Sequence, residues 1–214
     1  MVNWSDTFGI DPAAGHPDRA LALGYAQAGG EALHALFALD ATLARLALGT
    51  REPLVAQLRL TWWHDALLAP EPAAHPILQR LHDVDRTRAA AMVDGWQQLL
   101  DAPDDAALAA FAQGRGELFA LAAAAIGAPD ATGEAGRGWA LADLAQVTAD
   151  AGLATRARQA AAPLLAQAAR QRWSAPGRAL GGLVHLARLD LARPAGEAGA
   201  RRVARLAWHR LTGR

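Results

Sequence analysis

The sequence contains no cysteine, which excludes disulfides, thiolate catalysis, zinc fingers and iron–sulfur clusters. It contains no lysine either. All 21 basic side chains are arginine, so Schiff-base and lysine-nucleophile chemistry are excluded. Serine occurs only at Ser5 and Ser174, in neither case in the setting of an activated nucleophile. There is no excess of charge, because 21 basic side chains face 21 acidic ones. A chain built to coat nucleic acid carries a basic surplus, so no nucleic-acid partner is expected. No charge-free run reaches the length of about 18 apolar residues that a membrane span needs. The first residues, Met1-Val2-Asn3-Trp4-Ser5-Asp6, lack the basic start and apolar core of a signal peptide, and a cytoplasmic location is expected.

Alternating strand patterns rich in Val, Ile and Thr are absent as well. What is present is alanine and leucine, both strong helix formers. Of the 214 residues, 52% are apolar and 20% charged, enough for one domain, 1–214, with a large core. Glycine and proline fall between helix-length segments. The punctuation predicts helices near 17–28, 31–48, 53–68, a short one from Pro76, 87–100, one from Asp104 and Asp105 to Gly127, then 134–149, 153–173, 178–191 and 196–211. Pro163 kinks the long one or divides it. The fold class is therefore all-α, a single bundle of nine to ten helices. No repeat has a fixed period. The alanine-rich stretch 118–125 and the Gly114-Arg115-Gly116 run read as packing features, since small residues let helices approach closely.

The most distinctive segment is Arg59-Leu60-Thr61-Trp62-Trp63-His64-Asp65-Ala66-Leu67. On a helix Leu54, Leu58 and Trp62 form one apolar line at i, i+4 and i+8, and Arg59 can lie over the Trp63 indole at i+4. Adjacent tryptophans point about 100° apart on a helix, so one core cannot bury both equally. They wedge between two neighbouring helices, or they wall an apolar ligand cavity. One of them is expected to be buried with Leu58 on its side.

This block, with His16-Pro17-Asp18-Arg19-Ala20-Leu21-Ala22-Leu23 and Leu33-His34-Ala35-Leu36-Phe37-Ala38-Leu39-Asp40 before it and Gly138-Trp139-Ala140-Leu141-Ala142 after it, resembles the squalene/phytoene synthase family. Ala162-Pro163-Leu164-Leu165 and 183–191 are more weakly similar to its C-terminal part. The resemblance implies the isoprenoid-synthase fold. It also implies a ligand cavity or interface to which Arg59, Trp62, Trp63, Asp65, Phe37 and Trp139 are the candidates.

Catalysis in that family uses two Asp-rich motifs on facing helices. In each, carboxylates four residues apart hold magnesium, which binds and ionises a prenyl diphosphate. The acidic pairs at this spacing, Asp101/Asp105 and Asp130/Glu134, straddle Pro103 and Gly133 and read as caps and connections. Alignment places the family's first motif near Ala44 and Leu48 and its second in 145–150, where only Asp150 remains. Asp40, Asp65 and Asp143 are single acids, read as surface or ion-pair groups. His75, His82, Asp83 and Asp85 do not converge on a metal. The expectation is thus a shortened, non-catalytic member without a cofactor. It binds an apolar or isoprenoid ligand or a protein partner, and the resemblance extends to degenerate members associated with assembly of respiratory complex I. The alternative is a divergent magnesium-dependent prenyltransferase acting on isoprenoid diphosphates.

The last helix carries Arg201, Arg202, Arg205, Arg210 and Arg214 with no acid after Glu197. Val203, Leu206 and Leu211 are expected to be buried in the bundle. Arg201, Arg202, Arg205 and Trp208 are the candidates for a peripheral, electrostatic contact with the inner face of a membrane.

Overall fold

The computed structural model describes residues 17–26, 29–49, 52–71, 73–192 and 199–214. Among them are ten α-helices and no strand, an all-α bundle. In chain order these are α1 (Pro17–Leu23), α2 (Gly30–Gly49), α3 (Pro53–Leu68), α4 (Pro76–Gln79), α5 (Arg86–Gln97), α6 (Asp105–Ala125), α7 (Gly133–Val147), α8 (Ala151–Ala168), α9 (Arg178–Ala192) and α10 (Gly199–Thr212). The expected last turn of α1 at 27–28, the start of α10 at 196, and the readings made on Met1–Asp6, His16 and Pro72 lie outside the described residues.

The boundaries follow local chemistry. Pro53 and Pro76 sit in the first turns of α3 and α4, where a missing N–H costs nothing. The carboxylates of Asp85, Asp104 and Asp150 accept backbone N–H groups at the starts of α5, α6 and α8. His75 caps α4 by accepting from the Ile77 N–H at 3.2 Å. Gly127, at φ 65°, ends α6. The Ala128 N–H reaches back to the Ala123 carbonyl at 2.8 Å, a turn whose left-handed residue favours glycine. α8 runs unbroken through Pro163.

Helices α5 to α8 pack as successive neighbours, α2 lies across α3, α5 and α6, and α9 joins α1, α7, α8 and α10. By length and composition α2 could cross a membrane. Here it is a core helix, with Leu33, Leu36, Phe37, Leu39 and Leu43 buried. The Gly114-Arg115-Gly116 run explains how α6 sits between its neighbours. A Cβ on Gly114 would lie 2.4 Å from the Ala91 carbonyl oxygen of α5, and one on Gly136 of α7 would lie 2.3 Å from the Gly116 carbonyl oxygen. Both crossings are backbone against backbone, closer than side chains permit. Arg115, between the two glycines, is buried.

Candidate functional site: a buried guanidinium between two carboxylates

Three helices each contribute one ionisable side chain to the middle of the bundle. Arg115 comes from α6, Asp40 from α2 and Asp143 from α7, and all three are buried. The Arg115 fork grips Asp40 with two bonds, Nε to Oδ1 at 2.8 Å and Nη2 to Oδ2 at 2.7 Å. Its Nη2 also donates to Asp143 Oδ2 at 2.5 Å, and its Nη1 to the Ala140 carbonyl at 3.1 Å. Asp40 accepts a further bond from the Trp96 indole N–H at 3.1 Å. Arg19 of α1 donates to the other oxygen of Asp143. Two cations and two anions thus balance, with Arg115, Asp40 and Asp143 buried and Arg19 at the cluster's edge.

Aromatic faces complete the enclosure. The Arg115 Cζ lies 4.6 Å from the ring centroids of both Trp96 and Trp139, and Arg19 lies over Trp139 at 5.2 Å. Phe37 meets Trp139 edge to face at 5.7 Å, and Phe119 packs on it at a tilt at 5.4 Å. A guanidinium is weakly hydrated and planar, so it suits this sandwich better than an ammonium would. Burial alone would push the Arg115 pKa down, but Asp40 and Asp143 outweigh it and hold the group charged. Burial would likewise raise Asp143. Arg19 and Arg115 override that and keep its carboxyl well below the usual carboxylate range.

The residues singled out in the sequence separate into two places. Phe37 and Trp139 line this core cluster and pack on each other. Trp63 is buried at 5% exposure, whereas Trp62 is 49% exposed and Arg59 and Asp65 are exposed. The tryptophan rings touch edge to face at 5.1 Å, and the Trp63 ring meets His75 at 4.8 Å. The expectation that Leu58 shares the buried side is corrected. Leu54 and Leu58 are 74% and 72% exposed, and the inward face of α3 is Ala56, Leu60, Trp63 and Leu67. Residues at i, i+4, i+7 and i+11 share a helix face, and that face excludes Leu58. Arg59 lies off that face and is exposed.

Asp40 and Asp143 are ion-pair groups, not surface groups. Asp130, read as a connection, is one: it accepts from the Ser174 backbone N–H at 2.9 Å and from its hydroxyl at 2.5 Å. Arg115 was not singled out for charge. The signal was available, since Phe111, Arg115 and Phe119 stand at i, i+4 and i+8 in α6, a cation in the middle of an apolar line. Beside the cluster is a cleft of about 20 Å³, bordered by Arg19, Trp139, Asp143, Gln146, Asp190 and Arg202 among others. That is room for about one water molecule. Larger grooves of about 460 and 580 Å³ lie elsewhere, and none of Phe37, Trp62, Trp63 or Trp139 borders them.

The residues do not fit the divalent ions that the resemblance implies. Asp40 has Leu36 and Ala44 one turn either side, and Asp143 has Trp139 and Val147. Neither has a second carboxylate on its face, and both already accept hydrogen bonds from a guanidinium. No group of three or more acidic or histidine side chains suited to a metal occurs among the described residues.

No family model matches the chain, and no curated protein or solved structure matches it either.

A second polar cluster joins α9 to α10. His185 and His209 are buried, with ring centroids 4.7 Å apart. The Arg205 Nη2 donates to the His185 ring at 2.9 Å, and the His209 Nε2–H donates to the Arg178 carbonyl at 3.1 Å. Burial first, then Arg205, His209 and Arg188, push the His185 pKa down to about 3. Burial, against the hydrogen bonds to the Arg178 and Arg214 backbone, also lowers His209. Both rings are neutral in the fold, so the unfolded chain binds protons that the native state does not. Stability contributed this way is complete above the unfolded pKa of about 6.5 and is lost as pH falls below it, by up to about 1.4 kcal/mol per pH unit for each histidine. Denaturant unfolding between pH 7 and 4.5 should show this loss, and His185→Gln should flatten it. A stability independent of pH across that range would mean the rings are not held neutral.

Proposed function

We propose that the chain acts by binding rather than by turnover, as a non-catalytic protein of the squalene/phytoene synthase type. The observation that carries this reading is Arg115 between Asp40 and Asp143. That chemistry needs carboxylates left free to gather metal ions and diphosphate. In this chain a permanent side-chain cation stands between the two and neutralises them. The ring faces of Trp96 and Trp139 close the same space.

One surface available for such binding is the outer face of α3. Leu54, Leu58 and Trp62 expose large apolar side chains on three successive turns. This is the pattern by which one amphipathic helix receives another. We assign it to an apolar helix of a protein partner. In the role that the resemblance implies, that partner belongs to the assembly of respiratory complex I.

Two measurements test the two halves. With magnesium and a prenyl diphosphate the protein should form no condensed product. Its melting temperature should not move with magnesium and a non-hydrolysable diphosphate. Binding at a hundredfold excess over the dissociation constant would add about 2.7 kcal/mol, or about 5–10 °C for a chain of this size. Product, or a rise of that size, would overturn the non-catalytic reading. A photo-crosslinking residue in place of Leu58, in cells, should give a discrete adduct whose identity reports the partner. Adducts only with itself would make this face a self-association surface, and none at all would mean it is plain solvent surface.

A further inference from the structure

α10 is held to the bundle by one narrow line of side chains. Leu206 and His209 are buried, Arg202 pairs with Asp190, and Arg205 reaches inward to His185. The Trp173 N–H bonds to the Gly213 carbonyl at 2.8 Å and fixes the C-terminal end. The sequence led us to expect Val203 and Leu211 on this inner face. Instead Val203 is 51% exposed, Trp208 57% and Leu211 77%.

The outer face has a definite order. Ala200, Ala204, Ala207 and Leu211, at i, i+4, i+7 and i+11, are all exposed and run down its middle. Arg201 and Trp208, seven residues apart, form one flank. Val203 and Arg210 form the other, with Arg210 leaning over the Tyr25 ring at 4.6 Å, and the exposed Arg214 follows beyond the helix end at Thr212. Arg172 and Arg178 stand beside the C-terminal end. The described part of this helix carries no acid, and Arg201, Arg210 and Arg214 have no carboxylate partner among the described residues.

We infer that α10 docks the protein on an anionic lipid surface, with Leu211 and the alanine line entering the headgroup boundary and Trp208 at its edge. This goes beyond the proposed function and uses a different helix. The charge order selects the occupant. An apolar centre bordered by arginine on both sides, with an indole alongside, matches an anionic interface. A second copy of the same face would bring arginine against arginine. The contact differs from the electrostatic touch expected from sequence, because the exposed apolar side chains add insertion to attraction.

The test uses the full chain and vesicles of phosphatidylcholine with or without about 30% phosphatidylglycerol, at about 0.1 M salt. Binding should be at least tenfold tighter to the anionic vesicles. Leu211→Asp should abolish most of it, and Arg201→Gln with Arg214→Gln should weaken it about tenfold or more, at about fivefold for each arginine near the surface. All of these side chains are exposed, so unchanged melting curves separate lost binding from lost fold. Equal affinity for neutral vesicles, or no binding to either kind, would overturn the inference. So would a dimer seen by sedimentation that Leu211→Asp dissolves, because the face would then pair copies.

Discussion

Arg115→Leu should cost about 3–5 kcal/mol, the loss expected when one partner of a buried ion pair is removed and the other is left charged. Against a typical total of about 5–15 kcal/mol this is a large share. The cause is what remains. Asp40 would keep only the Trp96 N–H, and Asp143 only Arg19. The Asp40 carboxylate would then be a buried charge with no cation beside it. Arg115→Lys should cost about 2 kcal/mol, because an ammonium cannot reproduce the two-bond grip on Asp40. Replacing the charges together, Asp40→Leu with Arg115→Met and Asp143→Asn, should recover most of the loss, since well-packed apolar groups can substitute for a buried ion cluster. Denaturant unfolding of the series decides it. If Arg115→Leu stays within 1 kcal/mol of the parent, the cluster is not what the geometry says it is.

The helices were legible from sequence because each boundary is a local event. Asp104, Pro53, Pro76 and Gly127 terminate or begin helices through their own backbone chemistry, with little help from the rest of the fold. Which face of a helix turns inward is not local. α3 has large apolar residues on two faces, Leu54-Leu58-Trp62 and Leu60-Trp63-Leu67, so its pattern cannot say which one the bundle covers. α10 misleads for the opposite reason. Its inner line is held by Leu206 together with polar groups, His209, Arg202 and Arg205, so hydrophobicity alone points outward residues in. The core cluster was hidden because its members are 75 and 28 residues apart. Each acid looked single, and only the fold pairs them. The information that did exist was a charge on the apolar line of three separate helices, Asp40 among Leu36, Phe37 and Leu43, Arg115 between Phe111 and Phe119, and Asp143 beside Trp139.

The paired tryptophans should separate by energy as they do by exposure. Trp63→Ala removes a buried indole that packs beside Leu60 and Leu67 and against His75, and should cost about 3–5 kcal/mol through lost transfer energy and the cavity left behind. Trp62→Ala removes a side chain that is half in water and meets the Trp63 and His75 rings edge to face. Its cost should stay below about 1 kcal/mol. The two changes delete the same chemical group one residue apart on one helix, so helix propensity cancels and the difference reports the environment alone. The contrast also bears on function. A residue retained for the fold is expensive to remove from the isolated protein, whereas one retained for a partner is cheap there and expensive only in the complex. Trp62→Ala should therefore leave the unfolding curve almost unmoved while reducing the adduct formed from position 58. Equal costs for the two tryptophans would mean that the outer face of α3 is covered within the monomer, and the partner surface proposed on Leu54, Leu58 and Trp62 would fall with it.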